Sequence, residues 1–303
     1  MTTTAKVILN SISLDNKQLI TLQLRYPRFI HSEFMTHRVF SRNASSSRAV
    51  PVERLIKAII DDTAMPSYWG KNKPGMSADE ECNELIPIDD PSSMALTHEQ
   101  MWLVARDKAI SIAQQFAAAG YHKQIVNRLL EPFSHINVVV SATEWENFFA
   151  LRCHPDAQPE IQELANAIKE AISNSKPELV KHGYWHLPYI IDDDWYNVVD
   201  YLKSGLCEGM EVYNAKIEYL IKCSVARCAR VSYMTHDMKV PTIEEDLKLY
   251  NRLVGSQPIH ASPCEHQATP DKRFNNEYEW AKPEKHGNFI GWIQNRKILE
   301  SCQ

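Results

Sequence analysis

The chain has 303 residues, with 33 Lys and Arg against 38 Asp and Glu, so its formal charge is 33 − 38 = −5. A content of 44% hydrophobic and 23% charged residues is that of a soluble globular protein with a real core, in one large domain or two ordinary ones. No apolar run approaches the ~20 residues of a membrane span, the start MTTTAKVILNSISLDNKQ lacks the plan of a signal peptide, and the mild negative charge argues against a general nucleic-acid coat.

Residues 5–30 read as extended, with β-branched and alternating residues around the turn-like Asp15-Asn16. Residues 64–96 hold Pro66, Gly70, Pro74, Gly75, Pro87 and Pro91 and read as a long surface excursion. Thr97-His98-Glu99-Gln100 is a capping box that opens a helix stopped by Gly120. A second helix is expected over about 122–131, ending before Pro132, and a strand over Ile136–Ser141. Ser141-x-x-Glu144 has the form of a second capping box, for a helix on which Thr143, Asn147 and Leu151 share one face. Another helix is expected over about 157–174. Residues 175–207, with Pro177, Gly183, Pro188 and the run Asp192-Asp193-Asp194, read as a linker or added lobe. A helix near 208–222 leads to VARCARVSYM, and Thr242-x-x-Glu245 caps a helix ending at Gly255.

Glycine is scarce, with nine in the chain and no two of them two residues apart. Neither G-x-G-x-x-G nor a Walker-A loop is present, so a phosphorylated ligand must be held by side chains or helix ends. The seven cysteines are irregularly spaced, without C-x-x-C, and fit reduced thiols in a cytoplasm better than a disulfide framework. His182, His186, Cys223 and Cys228 form no paired zinc-ligand motif, and no metal is expected.

The densest polar stretch is Thr36-His37-Arg38-Val39-Phe40-Ser41-Arg42-Asn43-Ala44-Ser45-Ser46-Ser47-Arg48. From Arg25 to Arg48 there are five arginines and one acid, Glu33. Arginine forks match phosphate, and consecutive serines add donors that cradle anions. The bland alternative is a solvated basic loop.

This stretch resembles the signature of the flavin-dependent thymidylate synthase family, R-H-R-x-x-S-x-N-E-x-S-x-R. His37, Arg38, Ser41, Asn43, Ser46 and Arg48 match. Thr36 stands where the family has Arg, Ala44 where it has Glu, and Ala49 where it usually has Tyr. IVNRLLEP resembles the family's helix with a nucleotide-binding Arg, here Arg128. SATEWENFFALRCHPDAQPEI resembles a further segment, matching at Asn147, Leu151, Arg152, Ala157, Gln158, Glu160 and Ile161, with Ser141, Thr143 and Asp156 as departures. Ala229–Tyr233 and His260-Ala261-Ser262-Pro263-Cys264-Glu265-His266 resemble a segment that in the family precedes the signature. The resemblance therefore implies a circularly permuted α+β fold: one catalytic domain over 1–303, with 172–222 joining the permuted segments. It also implies FAD, a homotetramer, and C5 methylation of dUMP to dTMP, with methylenetetrahydrofolate as carbon donor and NADPH as reductant.

Carried over residue by residue, Glu33, Ser46, Ser47, Arg48, Arg128 and Arg152 would bind the nucleotide. Arg152, Ser46 and Arg38 would carry catalysis. His37, Arg38, Val39, Asn147, Leu151, Ser232, His260, Ser262 and Glu265 would line the flavin. The departures leave open another pyrimidine nucleotide such as dCMP, a hydroxymethyl product, or a non-catalytic nucleotide-binding homologue. Pro263-Cys264-Glu265-His266 also invites the thiolate chemistry of classical thymidylate synthases. Trp292-x-Gln294-x-Arg296 is expected either to return an amide and a cation to the site or to form only an amphipathic C-terminal helix. HGYWHLPY reads as a packed aromatic loop or a subunit contact.

Overall fold

The computed structural model describes residues 3–76, 78–88, 94–202, 210–231, 241–255, 258–274 and 278–301. It is an α+β fold. Strands β1 (Thr4–Ser13) and β2 (Gln18–Pro27) form a hairpin whose turn places Asn16 at φ 55°, a left-handed conformation that Asn tolerates better than most residues. A short helix α1 (His31–Met35) leads into strand β3 (Ser41–Ala44), and helix α2 (Val52–Asp61) follows. Helix α3 (His98–Ala118) begins at the reciprocal Thr97–Gln100 capping box. The expected second helix is shorter than its pattern: α4 (Lys123–Val126) tightens into a 3-10 segment, Asn127–Phe133, that contains Pro132. Proline has no N–H for an i−4 bond, so the tighter coil is the form that carries it.

Strand β4 (His135–Ala142) runs one residue past its expected end and precedes helices α5 (Glu146–Arg152) and α6 (Pro159–Ser173). The Ser141–Glu144 pair caps nothing. Ser141 lies within β4, α5 starts after Trp145 without a side-chain cap, and Thr143 lies outside that helix. Strand pairing with β2 takes the Ser141 backbone, and its hydroxyl bonds Thr21 and His266. Strand β5 (Glu178–Val180) adds in parallel to β1, giving the sheet order β3-β4-β2-β1-β5 among the described residues.

Residues 181–301 continue with α7 (Asp192–Leu202), α8 (Met210–Arg230), α9 (Ile243–Val254), a two-stranded pair β6 (Ala268–Pro270) and β7 (Trp292–Gln294), and α10 (Asn295–Glu300). The expected capping box at Thr242–Glu245 is formed. The helix near 208–222 continues to Arg230 and so absorbs VARCAR. Leu187, Val198, Leu220, Cys223 and Ile243 cluster where α7, α8 and α9 meet. The Arg227 guanidinium is buried there between Asp194 of α7 and Asp246 of α9, at 2.5 and 2.8 Å.

The two faces of the sheet differ. Along β2 and β4 alternate residues point to opposite sides. Ile20, Leu22, Leu24, Tyr26, Ile136, Val138 and Val140 pack against Phe148, Ile161, Leu164 and Ile168 of α5 and α6. The opposite face carries Thr21 and Ser141, paired in register and fully buried. There His186 bonds Ser11 and Thr21 at 2.8 Å each, Thr21 and Ser141 are 2.5 Å apart, and Ser141 meets His266 at 2.9 Å. HGYWHLPY is therefore a packed segment, with both His186 ring nitrogens occupied by hydroxyls. No group of three or more His, Cys, Asp or Glu gathers as for a metal among the described residues.

Burial lowers the pKa of both His186 and His266 to about 3, well below ~6.5 for an unfolded chain. Their stabilising contribution is thus fully present above ~6.5 and is lost as pH falls toward 3. Between pH 6.5 and 5, above most carboxylate titrations, unfolding free energy should fall by up to about 1.4 kcal/mol per pH unit for each histidine. His31, His37 and His135, each held near 4, act in the same direction. Urea midpoints measured across that window would show the fall; a flat profile would contradict it.

Candidate active site

The signature stretch is built on aromatic packing. Phe40 lies 4.7 Å from Trp145 and 5.3 Å from Phe148, and His37 lies edge-on to Phe148 at 4.9 Å. This fixes the loop between α1 and β3. Beyond β3, the Ser45 amide donates to the Asn137 carbonyl and the Ser45 hydroxyl accepts from the Asn137 amide. The buried Asn127 amide donates to the carbonyls of Ser47 and Val50, and Lys123 Nζ donates to that of Ala49. The Ser47 hydroxyl donates to Glu131 at 2.6 Å. The serine tract therefore alternates. Ser45 and Ser47 are buried and spend their hydroxyls on the frame, while Ser46 lines a groove.

That groove, about 420 Å³, is lined by Arg42, Asn43, Ser46, Arg48, His260 and Ser262, among others. A second groove, about 570 Å³, is lined by Arg48, Phe116, Gln124, Ile125, Arg128 and Leu129. The two share Arg48 and Gln124. Among the described residues, no carboxylate lines either groove. Glu131, nearby, accepts from Ser47 and Arg128. The combination of three arginines, hydroxyls, an imidazole and an apolar wall is a donor set for an anionic ligand that also carries a ring.

Arg152, at the end of α5, is held from one edge. Its Nε donates to His37 Nε2 at 2.9 Å, and one Nη donates to the Thr36 hydroxyl at 3.3 Å. Burial, then the Arg152 charge, lower the His37 pKa to about 4. A neutral His37 can accept at Nε2; a protonated one cannot. Among the described residues, the other Nη of Arg152 has no hydrogen-bond partner.

The remaining expected residues are placed as follows. Arg38, Val39, Asn147 and Leu151 are exposed, the last two sharing one face of α5. The Glu33 carbonyl closes α1 by accepting from Thr36. His260 and Ser262 line the first groove, more than 200 residues from Arg48 in sequence. Glu265 is ion-paired with Arg296. Ser232 lies outside the described residues. Several groove residues fall outside the expected set, the polar ones being Arg42 and Asn43, which stand in the signature without an expected role, and Gln124, in a segment expected only to be helix.

Cys264 is fully buried, and burial pushes its thiol up to about 12. A thiolate nucleophile needs the opposite environment. Cys264→Ser should therefore leave turnover within a few-fold of the parent; total loss with normal flavin content would restore the thiolate reading.

The model of the family described as thymidylate synthase complementing protein matches residues 16–178, just over half of the chain, and takes in the signature stretch, Arg128 and Arg152. The chain belongs to this family. One curated relative, the flavin-dependent thymidylate synthase of Aquifex aeolicus (strain VF5), is 27% identical over 154 residues. That match takes in 50% of this chain and 44% of the relative, so the chain spans less than half of the relative's length. Among solved structures, a UMP/dUMP methylase PolB from Streptomyces cacaoi bound with 5-Br UMP is 17% identical with a TM-score of 0.40, covering 57% of this chain and 89% of that one. The same methylase bound with 5-Br dUMP gives 16% and 0.39, covering 57% and 90%. Of the family signature, Ser46 and Arg48 line one groove, while His37 and Thr36 both accept from Arg152, so that Thr36 takes part as an acceptor instead of as a cation.

Proposed function

We propose that this protein methylates C5 of dUMP to give dTMP, using FAD, NADPH and methylenetetrahydrofolate. The observation that carries the reading is the pair of adjoining grooves, with no carboxylate among their described lining residues, whose Arg42, Arg48 and Arg128 lie inside the family-matched segment. Ser46, Arg48 and Arg128 would bind the nucleotide phosphate, the arginines as bidentate forks. The open edge of Arg152 would face the pyrimidine carbonyl and favour negative charge developing on the ring. Neutral His37 and Thr36 would hold that guanidinium in plane. Arg42, His260 and Ser262 would hold FAD, with the exposed Arg38 and Asn147 as further contacts. When bound and reduced by NADPH, that cofactor supplies the hydride. Val39 and Leu151, both exposed, would add apolar surface against it.

The order of the segments supports a circular permutation, with the 260–266 segment reaching the groove from a late position in the chain. A homotetramer in a bacterial cytoplasm, or in a host cytoplasm for a viral protein, completes the reading. No described helix is long and apolar enough to cross a membrane.

The test is direct. The purified protein should take up FAD and, with NADPH and methylenetetrahydrofolate, add a one-carbon unit to dUMP, read by product mass. Ala44 and Thr36 favour a second reading, in which the base or the transferred group differs. Turnover of dCMP, or a hydroxymethyl mass increment, would select it. Absence of flavin uptake would point to a non-catalytic nucleotide-binding homologue.

A further inference from the structure

The segment 286–296 lies outside the family match and outside the signature, yet its residues 291–295 are all buried. Trp292 is fully buried, and Gln294 and Asn295 are nearly so. Its polar side chains reach two separate parts of the site. The Asn288 amide donates to the Val39 carbonyl at 2.9 Å, and the Ser41 hydroxyl donates back to the Asn288 side-chain oxygen at 3.0 Å. The Gln294 amide reaches the Ser41 hydroxyl at 3.2 Å, the Glu265 carbonyl at 3.1 Å and Asn288 at 3.0 Å. Arg296 pairs with the Glu265 carboxylate and also bonds Glu300 at 2.7 Å. Gly287, at φ 63°, has Gln294 so close that an added Cβ would lie 2.5 Å from its Oε1. Glycine is needed there both for the backbone and for the approach.

We propose that this segment is a clasp, with Gln294 and Arg296 as positioning residues that assemble the anionic-ligand groove. Gln294 joins the first residue of β3, Ser41, to the 262–265 turn, which brings Arg42 and Ser262 to one groove. Arg296 has a second task. Glu265 is close enough to act electrostatically on Arg42. By holding the Glu265 carboxylate, Arg296 keeps that charge from neutralising Arg42, whose guanidinium gives one Nη to the Phe34 carbonyl at 3.0 Å and keeps its remaining donors for phosphate. The amide and cation of the tail thus serve the site without touching the ligand. This inference rests on the proposed flavin site, and its test separates the two.

The test measures FAD binding by fluorescence quenching, with thermal melting as the control for folding. Wild-type protein that takes up no FAD refutes the proposed function. Where wild type binds, Arg296→Ala should weaken FAD about tenfold, and Arg296→Lys should stay within threefold of wild type. Adding Glu265→Gln to Arg296→Ala should recover most of the loss, because the uncompensated carboxylate is then gone. A purely structural role would not give that recovery. Gln294→Leu should weaken FAD as well, with no rescue by Glu265→Gln. The clasp is overturned if Arg296→Ala binds FAD as wild type does, or if the double variant is as weak as the single one.

Discussion

Arg152→Ala is expected to lower kcat/KM for the nucleotide by about 10²–10³-fold, the usual cost of removing one group that stabilises developing charge. The loss should fall mainly on kcat, because the proposed interaction strengthens as charge builds on the pyrimidine. The fold should be unaffected. Arg152 is half-buried, and its partners His37 and Thr36 gain access to water when it is removed. A variant with unchanged turnover and unchanged melting would remove Arg152 from the chemistry. Arg152→Lys should recover little, since a point charge cannot bond His37 and Thr36 through one planar edge while presenting the other.

Arg227→Ala is expected to give the largest loss of stability, about 3–5 kcal/mol, read as a fall in the urea midpoint and a drop of roughly 10 °C in Tm. The Arg227 guanidinium makes four hydrogen bonds to carboxylates and a carbonyl, reaching Asp194, Asp246 and the Tyr189 carbonyl. Asp194 is 3% exposed and Asp246 fully buried, so alanine would strand two carboxylates in the interior. The two carboxylates hold the Arg227 pKa above its ordinary range despite burial. Removing all three charges together should cost less than removing Arg227 alone, because what is expensive is the unpaired charge and not the absent pair. Arg230, which also reaches Asp246 at 3.1 Å, should soften but not prevent the loss.

Local signals carried much of this architecture. The capping boxes at Thr97 and Thr242 open helices, because a side chain and backbone three residues apart satisfy each other without distant help. The same local logic failed at Ser141-x-x-Glu144. The pattern is identical, but a neighbouring strand, Thr21 and His266 claim Ser141 first. The Asp192–Asp194 run has the composition of a solvated surface, and Asp192 and Asp193 are exposed. Asp194 is instead buried against an arginine 33 residues away, a pairing no local pattern carries. In the site, Ser46 and Arg48 were legible from the signature and Arg128 from IVNRLLEP, whereas Arg42 had no expected role. The division of labour among the serines was not, because it depends on Asn127, Glu131 and Asn137. The long-range partners of Glu265 and Ser41 were likewise invisible before the chain was folded.

The bond between Asn288 and Val39 spans 249 residues. During synthesis the signature loop therefore emerges long before the segment that completes it. A nascent chain stopped short of residue 288 holds the arginines without the clasp that sets them. Ligand affinity should consequently arise late and abruptly on the ribosome, and partly made chains would draw little cofactor from the pool.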